Sequence, residues 1–184
     1  MSPTEKVAAT AQADATPPTG VTTTPRVDTL QFEDVAVGDA LPELPLPLTR
    51  TLIVSTAIAS RDYQDVHHDS VLASERGSKD IFMNILSTNG IVGRYVTDWS
   101  GPGGVLTDVQ IRLGAPNYPD DTMTLTGAVT AKDESVGDDG YGSVEVTLRG
   151  SNRLGDHVTG TVRLRLPSKR LTTDRAASQG ATDQ

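Results

Sequence analysis

Four successive segments with alternating apolar and polar residues constrain the fold of this chain more than any other feature. A period of two is typical of β-strands that bury one face, because successive side chains point to opposite sides of a strand. Turn-rich connectors separate the segments, so we expect the strands to pair as an antiparallel meander. The segments lie at 105–113, 122–130, 144–149 and 158–166.

A helix is predicted before these strands, over residues 81–100, and the run Gly-Pro-Gly-Gly at 101–104 ends it. Gly90 and Gly93 weaken its helical propensity, and we expect them to allow a sheet to approach closely. A helix followed by one-faced strands predicts an α+β fold, in which an antiparallel sheet wraps around the helix. The apolar stripe of the helix is formed by Ile85, Thr88, Val92, Tyr95 or Val96, and Trp99.

Two shorter helices are predicted upstream. One covers the apolar run at 52–60 and begins near Thr51, and the other makes one or two turns after residue 70 and ends at Gly77. Strands and helices do not alternate and no G-x-G-x-x-G motif is present, so a nucleotide-binding doubly wound fold is excluded.

Composition divides the chain into one domain and two tails. Residues 1–27 and 168–184 contain few large apolar side chains, so we expect both tails to be disordered and residues 28–167 to form the domain. The net charge of −8 disfavours a nucleic-acid partner. An anionic ligand would need a local basic patch or a partner that supplies one. The chain has no cysteine, no signal-like leader and no run long enough to cross a bilayer, which favours the cytoplasm.

A dense polar cluster, Asp62, Asp65, His67, His68 and Asp69, lies between the shorter helices. A carboxylate beside an imidazole can share acid–base work near neutral pH. A solvated, merely charged loop is the alternative from the residues alone. A metal site is disfavoured, because adjacent histidines project differently and no pair is spaced i, i+4.

The cluster resembles the signature of the MaoC-like (R-specific) enoyl-CoA hydratases, in which Asp is followed five residues later by His and then, two residues on, by Asp. The resemblance runs from about Phe32 to Leu166 and implies a hot-dog fold, with Asp62 as the catalytic aspartate and His67 as the catalytic histidine. It also implies that backbone amides near Asn84 and Ile85, at the start of the central helix, hold the thioester oxygen. Asn84 stands where the family commonly has glycine.

Longer stretches are similar to the small catalytic subunit of actinobacterial steroid side-chain enoyl-CoA hydratases. They read IASRDYQDVHHD, GSKDIFMNIL, GRYVTDWSGP, IRLGAPNY and LGDHVT. This resemblance implies a steroid-type enoyl-CoA substrate, no metal or redox cofactor, and a larger partner subunit with a second MaoC-like domain and a zinc-ribbon/OB-type domain. Without that partner we expect a homodimer.

Two other functions remain open at this point, a hot-dog acyl-CoA thioesterase and a non-catalytic hot-dog subunit that supports a partner enzyme. Among the remaining cluster residues, His68 is expected to point away from the site if His67 faces it. Asp69 is expected to cap or brace the loop, and the role of Asp65 is open.

Overall fold

The computed structural model describes residues 28–170, which form three α-helices, two short 3-10 helices and a five-stranded sheet. The helices are α1 (Arg50–Ala59), α2 (Ser70–Glu75) and α3 (Ile85–Ser100), and the strands are β1 (Ala40–Leu48), β2 (Val105–Leu113), β3 (Asp121–Lys132), β4 (Tyr141–Asn152) and β5 (Gly155–Pro167).

The sheet is antiparallel, in the order β1-β3-β4-β5-β2. The predicted meander is confirmed for β3, β4 and β5, but it is wrong for β2. This strand pairs with β5, for example Val109 with Val162, because the chain crosses to the far side of the sheet after β2 instead of turning back on itself.

Strand β1 was not predicted and pairs with β3 at the other edge of the sheet. It contains Pro42, Pro45 and Pro47, which have no N–H to donate and are tolerated at an edge, where one side of the strand has no neighbour. The two edge strands, β1 and β2, are therefore the two segments whose pairing the alternation did not reveal.

Helix α3 packs on β1, β2 and β5. Its predicted start at residue 81 is wrong, because the Asn84 backbone is extended (φ −79°, ψ 163°) and the Asn84 side chain caps the helix. The predicted end is confirmed, since Gly101 follows with φ 82°. No atom would meet a Cβ on Gly90 within 4 Å, so the close approach expected there is wrong.

The core lies between α3 and one face of the sheet, as the α+β prediction required. The stripe residues Thr88, Val92, Tyr95 and Val96 are buried, whereas Ile85 is 52% exposed and does not belong to the stripe. The sheet contributes a set of side chains that are at most 1% exposed: Met123, Leu125, Val129, Val144, Val146, Val158, Val162, Leu164 and Leu166.

Most of both predicted tails lies outside the described residues. The described chain continues three residues beyond the predicted boundary at 167. There Ser168 is buried, and its N–H donates to the Gly140 carbonyl (2.9 Å). Within the described range, no helix combines the length and the hydrophobicity needed to cross a membrane.

The Tyr95 hydroxyl on α3 is buried and has no hydrogen-bond partner within residues 28–170. Burial raises the pKa of Tyr95 to about 12, so the hydroxyl stays neutral. An unsatisfied buried hydroxyl costs free energy, and we expect Tyr95→Phe to raise the free energy of unfolding by about 1 kcal/mol in urea titrations. Tyr141→Phe, at a partly exposed position, serves as the control and should change it little. A destabilised Tyr95→Phe variant would contradict the prediction.

Candidate active site

A cleft of about 380 Å³ opens beside the start of α3. Four parts of the chain form its walls: the loop after α1, the segment that leads into α3, the segment after β2, and the beginning of β5. The lining residues are Asp62, Gln64, Val66, His67, Phe82, Met83, Asn84, Ile85, Leu113, Gly114, Ala115, Pro116 and His157.

Asp62 is held at the cleft by the way α1 ends. The Asp62 N–H donates to the Ala57 carbonyl (2.9 Å) and the Arg61 N–H donates to the Ile58 carbonyl (3.0 Å). This pair of bonds is a Schellman motif, which requires a left-handed residue just past the helix. Arg61 takes that conformation with φ 57°. The backbone of Asp62 is thus fixed relative to α1.

His67 ends a short 3-10 turn (Asp65–His67) and is buried. Its Nδ1 lies 2.7 Å from the Phe82 carbonyl oxygen. Because a carbonyl can only accept, Nδ1 carries the proton, and the lone pair of the neutral ring is on Nε2. The Phe82 ring packs edge-on against the imidazole, with centroids 4.9 Å apart.

The two side chains converge in the cleft. His67 Nε2 lies 3.4 Å from Asp62 Oδ2, and both side chains are largely shielded from solvent. This separation is long for a direct hydrogen bond. One water molecule beside the two atoms could donate one hydrogen to each, since both are acceptors when His67 is neutral.

The Asn84 side chain joins the cluster to α3. Its Nδ2 donates to Asp62 Oδ2 (2.8 Å) and to Ser60 Oγ (3.1 Å), while its Oδ1 accepts from the Ser87 N–H (2.8 Å). The hydrogen bond from Asn84 lowers the pKa of Asp62 below its ordinary value; burial opposes this effect, and the Gln64 N–H and the nearby His67 add to it. Asp62 is therefore ionised at neutral pH.

The first turn of α3 presents free backbone amides at the cleft. No hydrogen bond within the described chain uses the N–H groups of Asn84 and Ile85, which line the cleft, or that of Leu86, the next residue. Such orphan amides at a helix start, together with the helix dipole, favour an anionic oxygen. Asn84 and Ile85, the residues predicted to supply amides, both line the cleft.

The remaining residues of the polar cluster lie outside this arrangement. His68 is exposed, as expected. Asp69 caps α2, as expected, by accepting from the N–H groups of Val71 (2.9 Å) and Leu72 (3.0 Å). Asp65 forms an ion pair with Arg76 (2.7 Å).

Sequence reasoning missed two contributors to the cleft. The Asn84 side chain was not anticipated, although an Asn three residues before Ser87 at a predicted helix start is a recognisable capping signal. His157 is distant in the sequence and was not among the predicted site residues, yet it lines the same cleft as Asp62 and His67. No local pattern would have brought His157 there.

Comparison with known proteins gives one close match in sequence. Over 128 residues the chain is 52% identical to the 3-oxo-4,17-pregnadiene-20-carboxyl-CoA hydratase beta subunit of Mycobacterium tuberculosis, with 70% of this chain and 94% of that protein covered. The chain belongs to the MaoC-like enoyl-CoA hydratase family. No family model matches the chain.

Solved structures confirm the hot-dog fold of this MaoC-like chain. One chain of the ChsH1-ChsH2 complex from Mycobacterium tuberculosis superimposes with a TM-score of 0.65 at 52% identity, covering 71% of this chain and 98% of that chain. The MaoC-like dehydratase from Rhodospirillum rubrum gives a TM-score of 0.64 at 21% identity, covering 76% and 98% respectively. The latter likeness concerns the fold alone.

The strained residue beside Asp62 provides a stability test. Helix α2 ends in the same motif as α1, but there Gly77 takes the left-handed position (φ 87°). Since glycine adopts that conformation without a steric penalty, we expect Arg61→Gly to stabilise the fold by about 0.5–1 kcal/mol in denaturant titrations. Gly77→Ala should destabilise it by a similar amount. Equal stabilities of Arg61→Gly and wild type would show that Arg61 is not strained.

The link between Asn84 and Asp62 can be tested without an activity assay. We expect Asn84→Ala to raise the pKa of Asp62 in a carboxyl-detected ¹³C NMR titration, because the donor that favours the carboxylate is lost. A depressed carboxyl pKa stabilises the fold above the unfolded pKa, and this contribution disappears as the pH falls through the folded pKa. In the variant this contribution should be smaller, and its loss should be complete at a higher pH, because the folded pKa lies closer to the unfolded one.

Asp69→Ala is the matched control for Asn84→Ala. It also removes a helix cap, worth about 1 kcal/mol, but within the described chain Asp69 forms no hydrogen bond with Asp62 and is not among the causes of its pKa shift. An unchanged Asp62 pKa in Asn84→Ala, or an equal rise in Asp69→Ala, would refute the assignment.

Proposed function

We propose that this chain hydrates the double bond of an α,β-unsaturated acyl-CoA thioester, with Asp62 and His67 activating the water. The observation that carries the proposal is the convergence of His67 Nε2 and Asp62 Oδ2, 3.4 Å apart, in a cleft beside free helix-start amides. The 52% identity to a hydratase subunit supports the same reaction.

The proton of the water goes to His67. The bond to the Phe82 carbonyl leaves the Nε2 lone pair as the acceptor in the cleft. Asp62 is a weak base because its pKa is lowered, but its negative charge orients the water and stabilises the imidazolium that forms. The two residues therefore have different roles in the same step.

The water oxygen bonds to the β-carbon as its O–H bond breaks. The π-electrons of the substrate move toward the thioester carbonyl, whose oxygen becomes an enolate. Amides at Asn84 and Ile85 stabilise that charge, with the dipole of α3 adding to their effect. The enolate then collapses, and its α-carbon takes the proton held by His67. The β-hydroxyacyl thioester leaves, and the cluster returns to its starting protonation.

The substrate class comes from the named relative. That protein is a hydratase of a pregnadiene carboxyl-CoA, so a steroid side-chain enoyl-CoA is the proposed substrate here. A large ring system needs an apolar surface near the cleft. Ile85, which lines the cleft, and the next residue, Leu86, are each about half exposed (52% and 51%).

The functional unit is proposed to be a hetero-oligomer with a larger MaoC-like subunit. The structural relative at 52% identity is a chain of the ChsH1-ChsH2 complex. In this chain the edge strand β2 has no neighbour on one side within the described sheet, a feature that proteins commonly cover by pairing. Tyr63, beside the cleft residue Asp62, is 68% exposed and would suit the same contact.

The catalytic assignment predicts a sharp contrast between neighbouring residues. We expect Asp62→Asn and His67→Ala to lower kcat for hydration by a factor of about 10² or more. The matched controls are Asp65→Asn and His68→Ala, which remove the same chemical groups from the outside of the loop and should keep activity within about twofold. Loss of absorbance of the conjugated thioester measures the rate.

The assay uses the full chain, alone and co-expressed with the genes that neighbour its own, on crotonyl-CoA and on a steroidal enoyl-CoA. Full activity in both Asp62→Asn and His67→Ala would refute the assignment. Release of free CoA without hydration would indicate a thioesterase instead. Activity of the complex that survives Asp62→Asn would indicate a non-catalytic subunit. Size-exclusion chromatography distinguishes the hetero-oligomer from a homodimer.

A further inference from the structure

His157 is a second buried imidazole in the cleft. It lies near the start of β5, is 2% exposed, and lines the same space as Asp62 and His67. A buried histidine beside an acid–base pair is either a third reacting group or a residue that holds the others in place. Its hydrogen bonds decide between these two roles.

Both ring nitrogens of His157 are already used. Nδ1 lies 2.7 Å from the Ala115 carbonyl oxygen and therefore carries the proton. Nε2 lies 2.8 Å from Thr88 Oγ1 and accepts the hydroxyl hydrogen. Burial lowers the pKa of His157, partly opposed by the bond to Ala115, which keeps the ring neutral. His157 consequently has no free lone pair or proton to offer a substrate.

Thr88 connects this imidazole to the reacting groups. It lies one turn beyond Asn84 on α3, and its N–H donates to the Asn84 carbonyl (3.2 Å). The Asn84 side chain in turn donates to Asp62 (2.8 Å). The same turn carries the free amide of Ile85. A shift of Thr88 would therefore move both the support of the carboxylate and the amides.

The bonds of His157 tie together three segments that are distant in the sequence. They join the start of β5 to the chain after β2 through Ala115, and to the first turn of α3 through Thr88. The next hydrogen bonds along these segments, from the N–H groups of Gly114 and Ala115 to the carbonyls of His157 and Asp156 (both 2.8 Å), hold the same corner.

We propose that His157 and Thr88 are positioning residues that fix the first turn of α3 against the Asp62–His67 pair, an inference that rests on the proposed hydratase function. The hydrogen bond between them sets the position of Asn84 and of the helix-start amides, and neither residue touches the substrate. Catalysis is sensitive to such placement, because a displacement of about 1 Å can cost a factor of about 10².

The decisive variants change the hydroxyl of Thr88. Thr88→Val keeps the shape of the side chain and removes the donor, and we expect kcat to fall about tenfold with KM within about twofold, because the reacting groups are misplaced while the binding surface is kept. Thr88→Ser keeps the donor and should restore kcat to within about twofold. His157→Phe should have the effect of Thr88→Val, and the double variant should be no worse than either single one.

A core variant separates positioning from general loss of stability. Val129→Ala removes two methyl groups at a position in β3 that is 1% exposed and does not line the cleft. It should lower the melting temperature and leave kcat unchanged at temperatures where the protein is folded. Wild-type kcat in Thr88→Val, or an equal fall in Val129→Ala, would overturn the proposal.

A readout independent of turnover keeps the two proposals distinguishable. Thr88→Val should raise the pKa of Asp62 in the ¹³C NMR titration, because the Asn84 donor moves away, and Thr88→Ser should not. If wild type hydrates no enoyl-CoA, the proposed function fails, and the titration alone decides whether Thr88 fixes the carboxylate. If wild type is active and the Asp62 pKa is the same in Thr88→Val, only the positioning role fails.

Discussion

The site depends on one hydrogen-bonded amide, the side chain of Asn84. It caps α3 through the Ser87 N–H, bonds to Ser60 at the end of α1, and donates to Asp62 in the cleft. Without the cap, the Ser87 N–H at the helix start would lose its acceptor. Without the amide donor, the Asp62 carboxylate would lose its main stabilising partner. A helix terminus and an ionised acid are thus held by the two polar atoms of one side chain, Oδ1 and Nδ2. Asp62 and the helix-start amides keep a fixed relation to each other because both depend on Asn84.

Local patterns predicted most of the fold because the relevant forces act locally. Alternation identified β2 to β5, since each strand buries one face, and the run after Ser100 marked the end of α3. Strand β1 was not predicted because its three prolines are disfavoured in most strand positions. The order of the strands could not be predicted from the turn-rich connectors. These connectors favour pairing between consecutive strands, whereas β2 pairs with β5, which is distant in the sequence. The start of α3 was misplaced because an apolar run does not reveal where the backbone becomes extended.

For the site, the sequence identified the residues whose chemistry is unusual for their surroundings. Asp62 and His67 stood out through their resemblance to a family signature, and the structure brings the two side chains together. The supporting residues were harder to find. Thr88 and His157 meet across 69 positions, and neither type is rare in helices or strands. Such contacts arise from the packing of α3 on β5, which no window of sequence contains.

The Schellman motif at the end of α1 also limits how this loop can vary in length. Since the Asp62 amide is bonded to the Ala57 carbonyl, the position of the carboxylate relative to α1 is set by backbone geometry and not by the side chains of residues 58–61. Residues in the interval can change identity with little effect on where the acid lies. Adding or deleting one of them would rotate the following chain about the helix axis by roughly 100°, because an α-helix has about 3.6 residues per turn. Natural relatives that keep the activity should therefore differ here by substitution and not by length.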